Sequence, residues 1–198
     1  MPRVSEQHLA ARRRQIVDAA RRCFLREGFH RTTMQDVITE AGLSVGAVYR
    51  YFPSKAALIS AIAEEAVSGA EDVLADLTRR EPPLPLLGAL DRALAYVATQ
   101  TGDDGVLRIA IQVWGEAQRD PELAAFVADK YDGIRRHFEV LVRRAQSTGE
   151  VPGDADPEDV AAALFALVLG WLLQHILTGR PDRTSYLAGV RGLLGAGG

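Results

Sequence analysis

The segment over residues 33–55 combines hydroxyl, amide, aromatic and cationic side chains with a turn at a glycine. Short apolar patterns flank Gly42, which supplies the unusual backbone dihedrals that a tight turn requires. Ser44 follows and is a favourable N-cap for a helix over 45–51. That helix starts with the small residues Val45, Gly46 and Ala47. The pattern predicts a helix-turn-helix whose second helix can place its N-terminal end in the major groove of DNA.

The neighbouring residues carry helix boundary signals of their own. Thr33 and Asp36 have the spacing of a capping box for a short helix before the turn. Pro53 is expected to end the second helix, and Ser54 to cap a long helix that follows. The sequence therefore predicts a defined start for the helix before the turn, a defined end for the helix after it, and a defined start for the long helix that follows.

The charges divide unequally along the chain. Residues 1–55 contain ten Lys/Arg and five Asp/Glu, whereas residues 56–198 contain thirteen and twenty-one. A basic first part suits a polyanion such as DNA, and an acidic remainder does not. The sequence predicts a DNA-binding domain over 1–55 and a second domain over 56–198.

The remainder of the chain predicts helices and no strands, since apolar residues recur at helical spacing and β-branched alternation is scarce. The fold class expected is all-α, with about nine helices. Pro121 and Pro157 each stand at the first position of a predicted helix. The other predicted helices are 8–27, 55–80, a helix ending near 101, 106–118 and 183–194. The helix over 106–118 is apolar nearly all round and is expected to be central and buried.

The sequence argues against several other classes of protein. The single cysteine, Cys23, excludes an internal disulfide and a cysteine-rich zinc site, and it is expected to be a buried core residue. The N-terminal residues lack the apolar stretch of a secretory signal. The longest apolar run, 161–173, is shorter than the roughly twenty residues that span a bilayer. We therefore expect a cytoplasmic protein with no membrane partner.

Two stretches carry a family resemblance. FLREGFHRTTMQDV (24–37) and AGLSVGAVYRYFPSK (41–55) resemble the N-terminal signature of TetR-family regulators, with a departure at Ile38, where the family usually has alanine. Farther along, WGEAQRDPEL (114–123), GEV (149–151) and DPE (156–158) resemble the C-terminal domain of the BetI-type subgroup. The subgroup resemblance describes the shape of a domain and does not assign a choline-type ligand.

The resemblance implies how the first domain contacts DNA. Its positions for phosphate contacts, which fix register without reading sequence, are Thr33, Tyr49, Tyr51 and Lys55. Its positions for base reading are Gln35, Val45, Gly46, Ala47 and Arg50, which follow the N-cap Ser44 or face the same groove. Arg50 is suited to guanine, Gln35 to adenine, and Val45 or Ala47 to a thymine methyl. An exposed, solvated side chain is the alternative interpretation at each position.

The last two helices predict a dimer. The predicted eighth helix is apolar on every side, so it must be covered on two faces, one of them by a second copy of the chain. The resemblance likewise implies a homodimer, which would read a palindromic operator. The expected interface residues are Phe165, Leu169, Gly170, Leu173, Leu187, Val190 and Leu194. A helix buried within a monomer is the alternative.

The middle helices are expected to hold an unidentified small-molecule effector in a mostly apolar pocket. The candidate contacts are Tyr96, Gln112, Trp114, Gln118, Phe126, Tyr131, Phe138 and Phe165. Each of them is also compatible with an ordinary core position. We predict no cofactor and no metal site, and interpret His175 as an interface histidine rather than a metal ligand.

These observations favour a sequence-specific DNA-binding regulator, a repressor that a small molecule releases. One alternative is a constitutive DNA-binding protein without an effector, which would lack an internal cavity. Another is a helical enzyme that acts on small molecules. No Ser/His/Asp, Cys/His or metal-spaced cluster supports an enzyme, and the four histidines are scattered along the chain.

Overall fold

The computed structural model describes residues 6–102 and 105–195, and within them it confirms the all-α class. A 3₁₀ turn over Val106–Ile109 precedes the sixth of the α-helices. The helices are α1 Glu6–Glu27, α2 Met34–Ala41, α3 Val45–Tyr51, α4 Lys55–Arg79, α5 Leu86–Thr99, α6 Ala110–Ala117, α7 Pro121–Ser147, α8 Pro157–Thr178 and α9 Arg183–Gly195.

The predicted helix boundaries around the turn are confirmed. The Thr33 hydroxyl accepts from Asp36 N–H, and the Asp36 carboxylate accepts from Thr33 N–H, so both halves of the capping box are present. Gly42 ends α2 with φ +63°, in the left-handed region that favours glycine. Ser44 and Ser54 accept from backbone N–H groups in the first turns of α3 and α4. These local bonds fix the relative direction of α2 and α3.

The helices α1–α3 and the first half of α4 enclose one core, which includes Phe24, Val37 and Val48. This core continues into the next part of the chain, because Ile109 and Val113 are buried in it too. Packing is thus continuous across residue 55, and the domain boundary drawn there stays a prediction.

A second core lies among α4, α5, α7, α8 and α9. The long helices α7 and α8 pack along each other, and α9 is held on α8 by side chains that bond to backbone. The Tyr186 hydroxyl donates to Leu167 C=O at 2.7 Å, and Trp171 Nε1 donates to Pro181 C=O at 3.1 Å. The second half of α4 belongs to this core, so α4 connects both halves of the molecule.

The prediction of a central, buried helix over 106–118 is wrong. Its first four residues form the 3₁₀ turn, and within α6 only Val113 is buried. The physical reason is that the apolar side chains of this segment face a cavity on one side, while Gln112 faces the α1–α2 loop on the other.

The helix α8 is longer than the thirteen-residue apolar run indicated. It has 22 residues and a window of mean hydropathy 2.1, which meets the length and composition of a helix that could cross a membrane. Core helices of soluble proteins meet the same criteria, and a third of that window is buried here. The remaining apolar surface of α8 therefore needs a cover.

Candidate DNA-binding surface and effector cavity

The N-terminal end of α3 projects outward from the first core. Val45 and Tyr49 are 52% and 45% exposed, and Gly46 and Arg50 are exposed beside them. Only Val48 of this helix is buried, so α3 is fixed by one side and free on the other. A large apolar and a large aromatic side chain held in solvent on one short helix indicate a surface that contacts a partner.

The remaining base-reading positions lie on this surface or next to it. Gln35 and Ser44 are exposed, and Ala47 is half-buried at the start of α3. Thr33 is also exposed, and its hydroxyl donates to the Asp36 carboxylate at 2.7 Å. The bonds from the Thr33 backbone N–H and hydroxyl lower the pKa of Asp36, which keeps the capping carboxylate ionised. The surface α2–α3 is thus preorganised by short-range bonds.

Lys55 does not stand free as the resemblance implied. Its ammonium donates to the carbonyls of Phe29 at 2.7 Å and Thr32 at 3.0 Å, and it lies 4.3 Å from the centre of the Phe29 ring. Lys55 therefore closes the loop between α1 and α2 from the start of α4. Tyr51 is half-buried against the first core, so of the two tyrosines Tyr49 is the more accessible.

A cavity lies between α4, α5, the 3₁₀ turn, α6, α7 and α8. The space open to the centre of a water molecule is about 130 Å³. Six of the eight predicted effector contacts border it: Tyr96, Trp114, Phe126, Tyr131, Phe138 and Phe165. The other predicted contacts, Gln112 and Gln118, do not border the cavity. The sequence did not single out the wall that α4 contributes, because its Ala and Val residues resemble any helix packing surface.

Polar groups are few in the cavity wall. The Tyr96 hydroxyl donates to Ala66 C=O at 3.0 Å, and the Tyr131 oxygen accepts from Trp114 Nε1. Burial raises the pKa of both tyrosines, so both phenols stay protonated near neutral pH. Lys130 contributes an ammonium that donates to Glu64 at 2.9 Å. The wall can therefore enclose an apolar molecule and offer it a small number of polar contacts.

Gln112 joins α6 to the first core instead of lining the cavity. Its Oε1 accepts from Phe29 N–H at 2.6 Å, and its Nε2 donates to Phe24 C=O at 3.4 Å. The next residues of the same helix, Val113 and Trp114, border the cavity. A change in the cavity that moves α6 would consequently shift the α1–α2 loop as well. The side chain was predicted to lie near the effector because the sequence does not show which face of α6 meets the cavity.

The outer side of α8 and α9 exposes a leucine surface. Its members are Leu173 at 39%, Leu177 at 65%, Leu193 at 75% and Leu194 at 60% exposed. Two predicted interface residues are misplaced, because Phe165 and Val190 are buried inside the chain. Leu169 borders the cavity, while Gly170 and Leu187 are half-buried. The sequence missed Leu177, which lies about one helical turn after Leu173 on α8.

Comparison with known proteins agrees with both halves of this arrangement. Residues 16–62 match the family model "Bacterial regulatory proteins, tetR family", and residues 89–196 match "BetI-type transcriptional repressor, C-terminal". The HTH-type transcriptional repressor Rv1474c of Mycobacterium tuberculosis is 35% identical over 191 residues, covering 92% of each chain.

Solved structures share the fold over nearly the whole chain. GusR of Salmonella enterica is 28% identical, with a TM-score of 0.77 and coverage of 98% of this chain and 97% of that one. A regulator from Saccharomonospora viridis, solved in complex with choline, has a TM-score of 0.76 at 23% identity and covers 95% and 97%. The chain thus belongs to the TetR family of DNA-binding transcriptional regulators and is not an enzyme.

Proposed function

We propose that the chain is a cytoplasmic, homodimeric repressor that binds a palindromic operator and leaves it when a small molecule fills the cavity. The observation that carries this proposal is the pairing of an outward α3 with an apolar cavity in one chain, joined by α4 and α6. A constitutive DNA-binding protein would have no use for such a cavity. The regulator from Saccharomonospora viridis, which shares the fold, was solved in complex with choline, which supports the binding of a small molecule here.

The proposed DNA contacts follow from exposure on the α2–α3 surface. Arg50 and Gln35 read bases, with Val45, Gly46 and Ala47 close to the groove floor behind the Ser44 cap. Tyr49, Thr33 and, at the rim, Tyr51 contact phosphates and fix the register. Lys55 supports this surface through its bonds to the α1–α2 loop, and its charge adds to the field that attracts the phosphates.

The proposed dimer uses the leucine surface of α8 and α9. Its four leucines are 39–75% exposed, and large apolar side chains left in water on two successive helices mark a candidate interface. Two copies joined there would present two α3 helices to one DNA duplex. Paired helices of this kind bind half-sites about 34–36 Å apart, one turn of DNA.

The proposed release follows from the path between cavity and DNA surface. The helix α4 begins at Lys55, beside the α1–α2 loop, and continues into the cavity wall at Ile62. Gln112 on α6 provides a second connection through Phe29 N–H. A ligand that favours a different position of α4 and α6 therefore shifts the spacing of the two DNA surfaces. Ligand and operator then oppose each other reciprocally, with a coupling free energy of about 1–3 kcal/mol.

The test is binding of purified protein to labelled DNA from the upstream region of its own gene, measured over a range of salt concentrations. Phosphate contacts predict a steep fall of affinity with salt, and base contacts predict that one palindromic segment keeps its preference over random DNA. Arg50→Ala should lose that preference, whereas Arg143→Ala, an exposed residue on α7, should keep it. Equal affinity for all sequences would refute the proposal.

A further inference from the structure

The chemistry of the cavity wall restricts the charge of its occupant. Among the described residues that border the cavity there is no carboxylate, and Lys130 is the one charged side chain. The bond to Glu64, with Asp129 and Glu71 nearby, raises the pKa of Lys130, so its ammonium stays charged and is paired with a carboxylate. A buried cation would meet no counter-charge in the wall, and a buried anion would meet an ammonium already paired. Because burying an unpaired charge is costly, the cavity favours an uncharged ligand.

Tyr131 offers the polar contact that remains. Its oxygen accepts from Trp114 Nε1, and its ring stands edge-on to Phe165 with centroids 4.9 Å apart, so the phenol is held in place. The described part of the chain provides no acceptor for the hydrogen of this hydroxyl, whereas the Tyr96 hydroxyl donates to Ala66 C=O. A half-buried hydroxyl that has no acceptor among the described residues can donate to a ligand in the cavity.

Resting on the proposed function, we infer that the effector is an uncharged, largely apolar molecule with one hydrogen-bond acceptor, such as a carbonyl oxygen, that accepts from the Tyr131 hydroxyl. The cavity of about 130 Å³ is close in size to an apolar cavity of about 150 Å³ that binds benzene, and it is partly open, so it can hold the polar end of a small ketone, ester or alcohol while a longer chain extends toward the opening. Tyr131 is then the residue that determines specificity, and the surrounding aromatic wall supplies most of the affinity. A site built around a buried donor disfavours an otherwise similar molecule that lacks the acceptor.

The experiment uses the full-length protein and four probes with similar chains: methyl octyl ketone, decane, decanoate and decyltrimethylammonium. Calorimetry measures the binding of each. The ketone should bind about three- to tenfold more tightly than decane, which corresponds to one net hydrogen bond. Both charged probes should bind more weakly than the ketone.

Matched variants assign the preference to one hydroxyl. Tyr131→Phe keeps the ring and should make the ketone and decane bind equally. Tyr96→Phe removes a hydroxyl from the same cavity and should leave the preference for the ketone intact. The ratio of two affinities within one variant cancels a general loosening of the cavity, such as one caused by the unpaired Trp114 N–H.

The outcomes separate this inference from the proposed function. Stronger binding of either charged probe, equal binding of ketone and decane in the unaltered protein, or binding of none would overturn the inference. A ketone preference that survives Tyr131→Phe would overturn it as well. None of these results depends on DNA, so operator binding and its loss with ligand test the proposed function separately.

Discussion

The α2–α3 surface is built from residues that are close together in the sequence, whereas the cavity is built from residues that are far apart in the sequence. The surface is made by residues 33–51, and each of its turns and caps is fixed by a partner within a few positions. The cavity is bordered by residues from Ile62 to Leu172, on five helices and a 3₁₀ turn. One site is therefore a product of local sequence, and the other a product of long-range packing.

Substitutions should therefore have different consequences at the two sites. On the surface, replacing an exposed side chain changes the contact with DNA and leaves the fold intact, because α3 is held by Val48 and by caps. In the cavity, each side chain belongs to the core as well as to the proposed ligand site, so a substitution should alter packing and ligand binding together. The contacts that connect the two sites, at Gln112 and along α4, should tolerate substitutions that weaken the coupling without abolishing DNA binding or ligand binding.

The largest expected effect is the loss of the dimer. Leu177→Asp places a charge on the leucine surface of α8, at a side chain 65% exposed in the single chain, so the protomer should still fold. The protein should become monomeric and lose operator affinity by about a hundredfold or more, because the second half-site contact is no longer intramolecular. Sedimentation and DNA titration measure both. Val140→Asp, at an exposed valine of α7, is the control. A monomer that retains full operator affinity would show that the second half-site contact does not contribute to operator binding.

A change at the DNA surface comes next. Arg50→Ala should weaken operator binding by about 1–3 kcal/mol at each half-site, since a bidentate contact to a base is lost. Affinity for random DNA should fall much less, and ligand affinity should not change. Fluorescence anisotropy with operator and scrambled DNA measures the difference. An equal loss of affinity for both DNAs would show that Arg50 contacts phosphates and does not read bases.

The connection between the sites is tested by Gln112→Leu. This variant removes the acceptor of Phe29 N–H and should leave operator and ligand binding in place while weakening their antagonism about fivefold. Operator titrations with and without ligand give the coupling. Gln118→Leu is the matched control, because this exposed residue borders neither the cavity nor the first core. If coupling were unchanged in Gln112→Leu, α4 alone would carry it.

The smallest effect concerns cavity packing. In Gly69→Ala the new methyl group would meet the Tyr96 hydroxyl and displace it from Ala66 C=O. Overpacking costs about 1–3 kcal/mol and the helix propensity of alanine returns about 1 kcal/mol, so we expect a net loss of about 1 kcal/mol in the free energy of unfolding.

Denaturant unfolding checks the sign of this effect. Gly115→Ala on α6, where a methyl group meets nothing, should instead stabilise the protein. Adding Tyr96→Phe to Gly69→Ala should recover part of the lost stability. A simple sum of the two single effects would show that the two positions do not touch.

Prediction from sequence succeeded where short-range rules decide. The capping box at Thr33, the turn at Gly42 and the caps at Ser44 and Ser54 are all written in local residue types. It did not reveal that the Lys55 ammonium bonds to a loop 23–26 positions away, because sequence spacing does not show that contact, and the phosphate contact expected of Lys55 stays a prediction.

In the second half of the molecule the element types were predictable and the facing directions were not. Aromatic residues were correctly expected at the cavity, yet Gln112 faces the first core and Gln118 faces solvent. Phe165 and Val190 were assigned to a dimer surface but are buried within the chain, whereas Leu173, Leu177, Leu193 and Leu194 are exposed. A helix that is apolar all round, such as α8, has no periodicity that tells its inner face from its outer one.

Hydroxyl-radical footprinting of the protein on the upstream DNA of its own gene shows whether a dimer binds a palindrome through its paired α3 helices. Two α3 helices that project from one dimer predict two protected patches on the same face of the duplex, one helical turn apart and symmetric about a palindrome. Arg50→Ala should erase both patches. A single patch, continuous protection without a centre of symmetry, or patches that persist in Arg50→Ala would show that paired α3 helices do not read the operator.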